Sequence, residues 1–150
     1  MSENTVKRVR VQRLRRMKEQ REPITMLTCY DAVTARIFDA AGIDVLLVGD
    51  SYGNTCLGYE STVSVSLEEM EVPTAAVARA AKRAFIVADL PFGSYEESCQ
   101  LAVASAVRLI KAGAHAVKLE GGLRQASAIK AIVEAGITAL ERLDHRGAVG

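Results

Sequence analysis

From Glu22 onward the chain repeats one pattern: a short apolar run, a loop, then a segment with apolar residues at helical spacing. The first run is Ile24-Thr25-Met26-Leu27-Thr28. A helix is predicted after it, starting at Asp31, whose carboxylate can accept the free amides of a first turn. It runs through Ala35, Phe38 and Ala41 to Gly42. The second run is Ile43-Asp44-Val45-Leu46-Leu47-Val48, and a long loop separates it from the next helix. Ser66 and Glu69 have the spacing of a capping box that opens that helix. Pro73 either lies in its first turn or kinks it. The third run is Ala84-Phe85-Ile86-Val87-Ala88; Ser94 and Glu97 read as a second capping box, with the helix continuing to Gly113. The fourth run is Ala114-His115-Ala116-Val117-Lys118-Leu119, and its helix spans about Gln125 to Ala135 and stops at Gly136.

Three helices therefore end alike, in Ala-Gly followed by a strand, at Gly42, Gly113 and Gly136. Glycine can take the left-handed conformation that closes a helix. Strands alternating with helices predict βαβ units and a parallel sheet. The apolar runs show no polar alternation, as expected of strands covered on both faces. The architecture is α/β, either an open doubly wound sheet or part of a (βα) barrel. A fifth strand begins at Ile137-Thr138-Ala139-Leu140, but Glu141-Arg142-Leu143-Asp144-His145-Arg146 is too charged for a buried strand, so the pattern is expected to break there. A full barrel takes eight units and roughly 200 residues or more. Four units in one domain spanning 1–150 make half of one.

Composition narrows the class. The 150 residues are 49% hydrophobic and 25% charged, which excludes whole-length disorder. No apolar run approaches the roughly 20 residues of a membrane span, and residues 1–22 lack the apolar core of a secretory signal. Cys29, Cys56 and Cys99 have neither CxxC nor zinc spacing and read as reduced thiols of a cytoplasmic protein. The overall charge of +1 hides a net +5 in residues 1–22 and −4 in the remainder. Val6, Val9, Val11, Leu14 and Met17 recur in that basic stretch at near-helical spacing, so it reads as a solvated helix with one face on the body. Nucleic acid is not an expected partner: tryptophan is absent and aromatics are 5%.

Three apolar runs each end in a carboxylate: Asp50, Asp89 and Glu120. In parallel α/β folds the C-terminal strand ends gather on one face, where sites form. Three gathered carboxylates repel unless a cation joins them, and a hard divalent ion such as Mg²⁺ is the simplest. Lys118, two residues before Glu120, points to the same side and can hold an anionic substrate group. Neither GxGxxG nor a Walker A pattern occurs, and no Ser or Cys is arranged with His115 or His145 as a nucleophile pair. His115 reads as packed, and Cys56 as an inert thiol.

Four stretches carry a resemblance, in order and spacing: Thr28-Cys29-Tyr30-Asp31, Leu47-Val48-Gly49-Asp50-Ser51, Ala88-Asp89-Leu90-Pro91-Phe92 and Val117-Lys118-Leu119-Glu120-Gly121-Gly122. With Gly58-Tyr59-Glu60-Ser61-Thr62, they resemble the ketopantoate (3-methyl-2-oxobutanoate) hydroxymethyltransferase family over roughly residues 10–137. The resemblance implies a (βα)8 TIM barrel of the phosphoenolpyruvate/pyruvate type, and a homo-oligomer, decameric in the family. It implies Mg²⁺ and transfer of a hydroxymethyl group from 5,10-methylenetetrahydrofolate to 3-methyl-2-oxobutanoate, giving 2-dehydropantoate for pantothenate synthesis. It makes Asp50 and Asp89 the direct metal ligands, with Glu120 completing the site. Asp50, Ser51, Asp89 and Lys118 become the substrate contacts. The family's general base is a glutamate of the second half-barrel, beyond residue 150, so no catalytic residue is assigned. Residues 138–150 depart from the family pattern, which leads to the expectation of a truncated or frame-disrupted member. An inactive remnant, and another Mg-dependent 2-oxo-acid lyase or mutase of the same superfamily, are the competing readings.

Overall fold

A computed structural model describes residues 7–142. Its elements follow the chain as α1 (Val11–Glu19), β1 (Met26–Thr28), α2 (Ala32–Ala40), β2 (Val45–Val48), α3 (Leu67–Ala80), β3 (Phe85–Asp89), α4 (Cys99–Ala112), β4 (Ala116–Glu120), α5 (Ala126–Glu134) and β5 (Thr138–Arg142). The five strands form one parallel sheet in the order β1-β2-β3-β4-β5.

Residues of alternating parity along each strand face opposite sides of the sheet. Leu46, Ile86, Val117 and Leu119 face the helical layer and pack with Met70, Val77, Leu109 and Ile132 of α3, α4 and α5. Each such side chain contributes about 1.5–3 kcal/mol when fully buried. Val45, Phe85, Val87 and Ala116 face the other way and form a second cluster with Val9, Val11 and Leu14. The apolar stripe of the N-terminal stretch is thus what seats α1 on the body. The backbone N–H of Val9 also donates to the carbonyl of Arg83 at 2.7 Å. Residues 1–6 lie outside the described residues.

The helix ends match their sequence signals in most places. Asp31 caps α2, accepting from the amides of Val33 and Thr34. Ser66 and Glu69 form the capping box of α3. Gly42, Gly113 and Gly136 all have positive φ. Pro73 lies well inside α3 rather than in its first turn, and one residue on, the buried Thr74 hydroxyl donates to the Met70 carbonyl at 2.7 Å.

Two expectations are corrected. α4 starts at Ser98, not Ser94, and the Ser98 side chain accepts from the Leu101 amide. The Ser94 hydroxyl is already spent as a donor to the Pro91 carbonyl, 2.6 Å away, so it does not cap a helix. The fifth strand also does not break at Glu141. β5 pairs with β4 from Ala116↔Thr138 through Glu120↔Arg142. It is the last strand of the described sheet, and Glu141 stays exposed, so its carboxylate carries no burial cost. Residues 143–150 lie outside the described residues.

Among the described residues no helix is long and apolar enough to cross a membrane. All three cysteines are unpaired: Cys29 is buried, Cys56 exposed and Cys99 half-buried.

Candidate functional site

Because β2, β3 and β4 are adjacent and parallel, their C-terminal ends emerge side by side. Asp89 closes β3 and Glu120 closes β4, while Asp50 stands two residues past β2. The register sets Asp89 directly beside Lys118. Lys118 and Glu120, two residues apart, share a face of β4. The result is a chain of charges: the Lys118 ammonium lies 2.9 Å from Asp89 Oδ1 and 3.2 Å from Glu120 Oε1. Asp50 joins through its backbone, whose N–H donates to Asp89 Oδ2 at 3.2 Å.

Burial dominates the electrostatics of Asp89. The residue is 5% exposed, and desolvation lifts its carboxyl to about 6 although the Lys118 ammonium and the Asp50 amide both pull it down. Burial acts on Lys118 in the opposite sense, but Asp89 and Glu120 outweigh it and hold the ammonium above its ordinary value. Asp89 Oδ1 faces the Lys118 ammonium as its charge partner.

A cleft of about 200 Å³ opens over these groups. Asp50, Asp89, Lys118 and Glu120 supply its charged lining, with Thr62 beside them, and Val63, Leu90, Phe92 and Tyr95 much of its apolar wall. This is smaller than the roughly 300–1,000 Å³ of drug-sized ligand sites, so it suits a small acid. The structure therefore brings Asp50, Asp89, Lys118 and Glu120 to one cleft. Ser51 is tied beside it, its hydroxyl 2.7 Å from that of Tyr30. Among the described residues no three His, Cys, Asp or Glu side chains cluster as a ready metal site. Lys118 is the cation that stands between Asp89 and Glu120.

Two supporting residues were not read from the sequence. The Tyr95 hydroxyl donates to the Glu120 carbonyl at 3.0 Å and receives the Glu120 N–H at 3.4 Å. It thereby fixes the end of β4, and its burial pushes the phenol up to about 12. Glu96 holds the intervening loop by accepting the amides of Gly93 (2.8 Å) and Tyr95 (3.2 Å). His115 sits at the opposite end of the sheet, as expected of a packed residue: Nδ1 accepts the Ile86 amide at 2.9 Å and the ring stacks obliquely on Phe85.

Acids at the C-terminal ends of adjacent parallel strands, beneath a small cleft, define a class. The fold is similar to that of solved structures that include a member of the phosphoenolpyruvate mutase/isocitrate lyase superfamily. Phosphonopyruvate hydrolase, in a complex with oxalate and Mg²⁺, is similar with a TM-score of 0.71 at 15% identity, over 87% of this chain and 51% of that one. 2,3-Dimethylmalate lyase is similar with a TM-score of 0.68 at 19% identity, over 93% of this chain and 54% of that one.

Sequence comparison is more specific. The profile of the ketopantoate hydroxymethyltransferase family matches residues 8–143, and the chain belongs to that family. The 3-methyl-2-oxobutanoate hydroxymethyltransferase of Leifsonia xyli subsp. xyli is 58% identical over 132 residues, covering 87% of this chain and 48% of the relative. That of Aeropyrum pernix is 57% identical over 136 residues, covering 91% and 49%. The chain spans about half the length of the curated relatives it matches.

Proposed function

We propose that this chain carries the 2-oxo-acid half of a 3-methyl-2-oxobutanoate hydroxymethyltransferase site. The reaction would move a hydroxymethyl group from 5,10-methylenetetrahydrofolate to the oxo acid, giving 2-dehydropantoate. The observation that carries this reading is the convergence of Asp50, Asp89, Lys118 and Glu120 on one small cleft, in a chain more than half identical to enzymes of that name.

The donor set fits a hard divalent ion such as Mg²⁺: all three acids offer carboxylate oxygens, and all three line one cleft. Asp50 and Asp89 would hold it, with Glu120 completing the site. When bound, the ion would polarise a 2-oxo carbonyl and make the neighbouring C–H more acidic. The Lys118 ammonium is the group suited to a substrate carboxylate. Ser51, steadied by Tyr30, offers a hydroxyl at the edge of the same turn. Val63 and Phe92 give the cleft an apolar rim suited to a branched alkyl group. The oligomeric state and a cytoplasmic location belong to this reading as well.

Isothermal titration with 3-methyl-2-oxobutanoate, with and without Mg²⁺, tests it. Binding should depend on the metal and be lost in Asp50→Ala and Asp89→Ala. Binding indifferent to both metal and substitutions would overturn the reading.

A further inference from the structure

A second concavity, of about 780 Å³, opens at the opposite end of the sheet from the carboxylate cleft. Six cationic residues line it: Lys7, Arg8, Arg10, Arg13, Arg16 and Arg83. Their arrangement follows from the packing of α1. Buried Val9 and Met17 anchor the helix to the body, which sets the exposed Arg10, Arg13 and Arg16 along the groove. Arg10, Arg13 and Arg16 recur every three residues along one side of it.

The far wall is rigid. Arg8 donates from Nε to the Lys82 carbonyl at 3.2 Å and from Nη2 to the Ala81 carbonyl at 3.3 Å. Arg83 donates from Nη1 to the carbonyls of Gly42 (2.9 Å) and Ile43 (2.8 Å), and Nη2 pairs with Asp44 at 2.8 Å. Among the described residues, acids do not balance this charge. Asp44 serves Arg83, and Glu22 lies 3.7 Å from Arg13. Lys7, Arg10 and Arg16 form no ion pair among the described residues. Arg83 stands two residues before β3, the central strand, while Arg8 and Arg10 also border the start of β5.

We propose that this groove binds a small, multiply charged phosphate anion: a polyphosphate chain, free or carried by a nucleotide. Guanidinium forks match phosphate oxygens in pairs, and the low pKa of phosphate keeps the charge in place at neutral pH. The volume is that of a small-molecule site. Among the described residues no aromatic side chain lines it, so the phosphates and not a stacked base are what it reads. The site is separate from the carboxylate cleft and independent of the oxo-acid reading.

The test is titration calorimetry with inorganic tripolyphosphate in metal-free, low-salt buffer. Saturable one-to-one binding is expected, weaker by roughly tenfold or more in Arg10→Gln/Arg16→Gln. The charge-matched control Arg36→Gln/Arg79→Gln, on α2 and α3, should bind like wild type; both variants replace exposed or half-exposed side chains, and thermal melting verifies their fold. ATP separates the two sources: affinity equal to tripolyphosphate means the phosphate chain alone is read, and tighter binding points to a nucleotide. Three results would overturn the proposal: no saturable binding, equal weakening in both variants, or binding of a single-stranded oligonucleotide without binding of tripolyphosphate.

Discussion

The Asp39 carboxylate near the end of α2 holds the turn that leads into β3. Its oxygens accept three consecutive backbone amides: Lys82 (2.8 Å), Arg83 (3.0 and 3.1 Å) and Ala84 (2.6 Å). Replacing Asp39 with alanine leaves those donors without their acceptor, and their surroundings set the cost. The Lys82 amide is exposed, so water takes over at little expense. Ala84 is 1% exposed and its amide is left dry, which costs about 1–3 kcal/mol. Arg83 is intermediate and adds up to about 1 kcal/mol. Asp39→Ala should therefore destabilise the chain by about 1–4 kcal/mol. Asp39→Asn, which keeps one acceptor oxygen but no charge, should cost about half as much. Urea unfolding followed by circular dichroism measures both, with the slope unchanged if the compactness of the two states is unchanged. An Asp39→Ala midpoint indistinguishable from wild type would refute the reasoning.

Two further outcomes are expected. Gly113 has φ +115° and an added Cβ would stand 2.4 Å from Ala78 Cβ, whereas Gly42, at φ +85°, has open space around it. Gly113→Ala should cost about 2–4 kcal/mol and Gly42→Ala about 1 kcal/mol, so equal unfolding midpoints would contradict the packing argument. Burial and the nearby Arg8 hold the His115 imidazolium below its ordinary value of 6.5. The unfolded chain then takes up that proton first, so this contribution is intact above pH 6.5 and declines as pH falls below it. Asp89, whose carboxyl is raised by burial, works in the opposite sense, gaining stability as pH falls through about 6. The difference in stability between wild type and His115→Gln isolates the histidine. It should shrink from pH 7 to pH 5, and a constant difference would count against the assignment.

Much of the layout is legible in the chain because its signals are local. The Ala-Gly helix ends, the Asp31 cap and the Ser66–Glu69 box each depend on a few neighbouring residues. The carboxylate cleft is legible because strand ends in a parallel sheet converge as a matter of topology. What escapes is set by partners distant in sequence. Ser94 looks like a cap until the Pro91 carbonyl claims its hydroxyl, and Ser98 takes that role instead. β5 looks too charged until its place at the end of the sheet leaves Glu141 in water. The clamp of Tyr95 on Glu120 crosses 25 positions, and that of Asp39 on Ala84 crosses 45. No periodicity records such pairs. The N-terminal basic stretch is a mixed case: its apolar face is evident, but the groove under its charged face needs Arg83 to complete it.

The strand order of the sheet also has a meaning in time. Each strand pairs with the one that precedes it, and no strand must wait for a later neighbour to be inserted between two already made. A chain emerging from the ribosome at roughly 5–20 residues per second can therefore lay down one strand and its covering helix before the next appears. Every newly made strand meets a template already in place, at a separation of one covering helix and its connecting loops. The growing sheet carries a single advancing edge, which its own next segment covers.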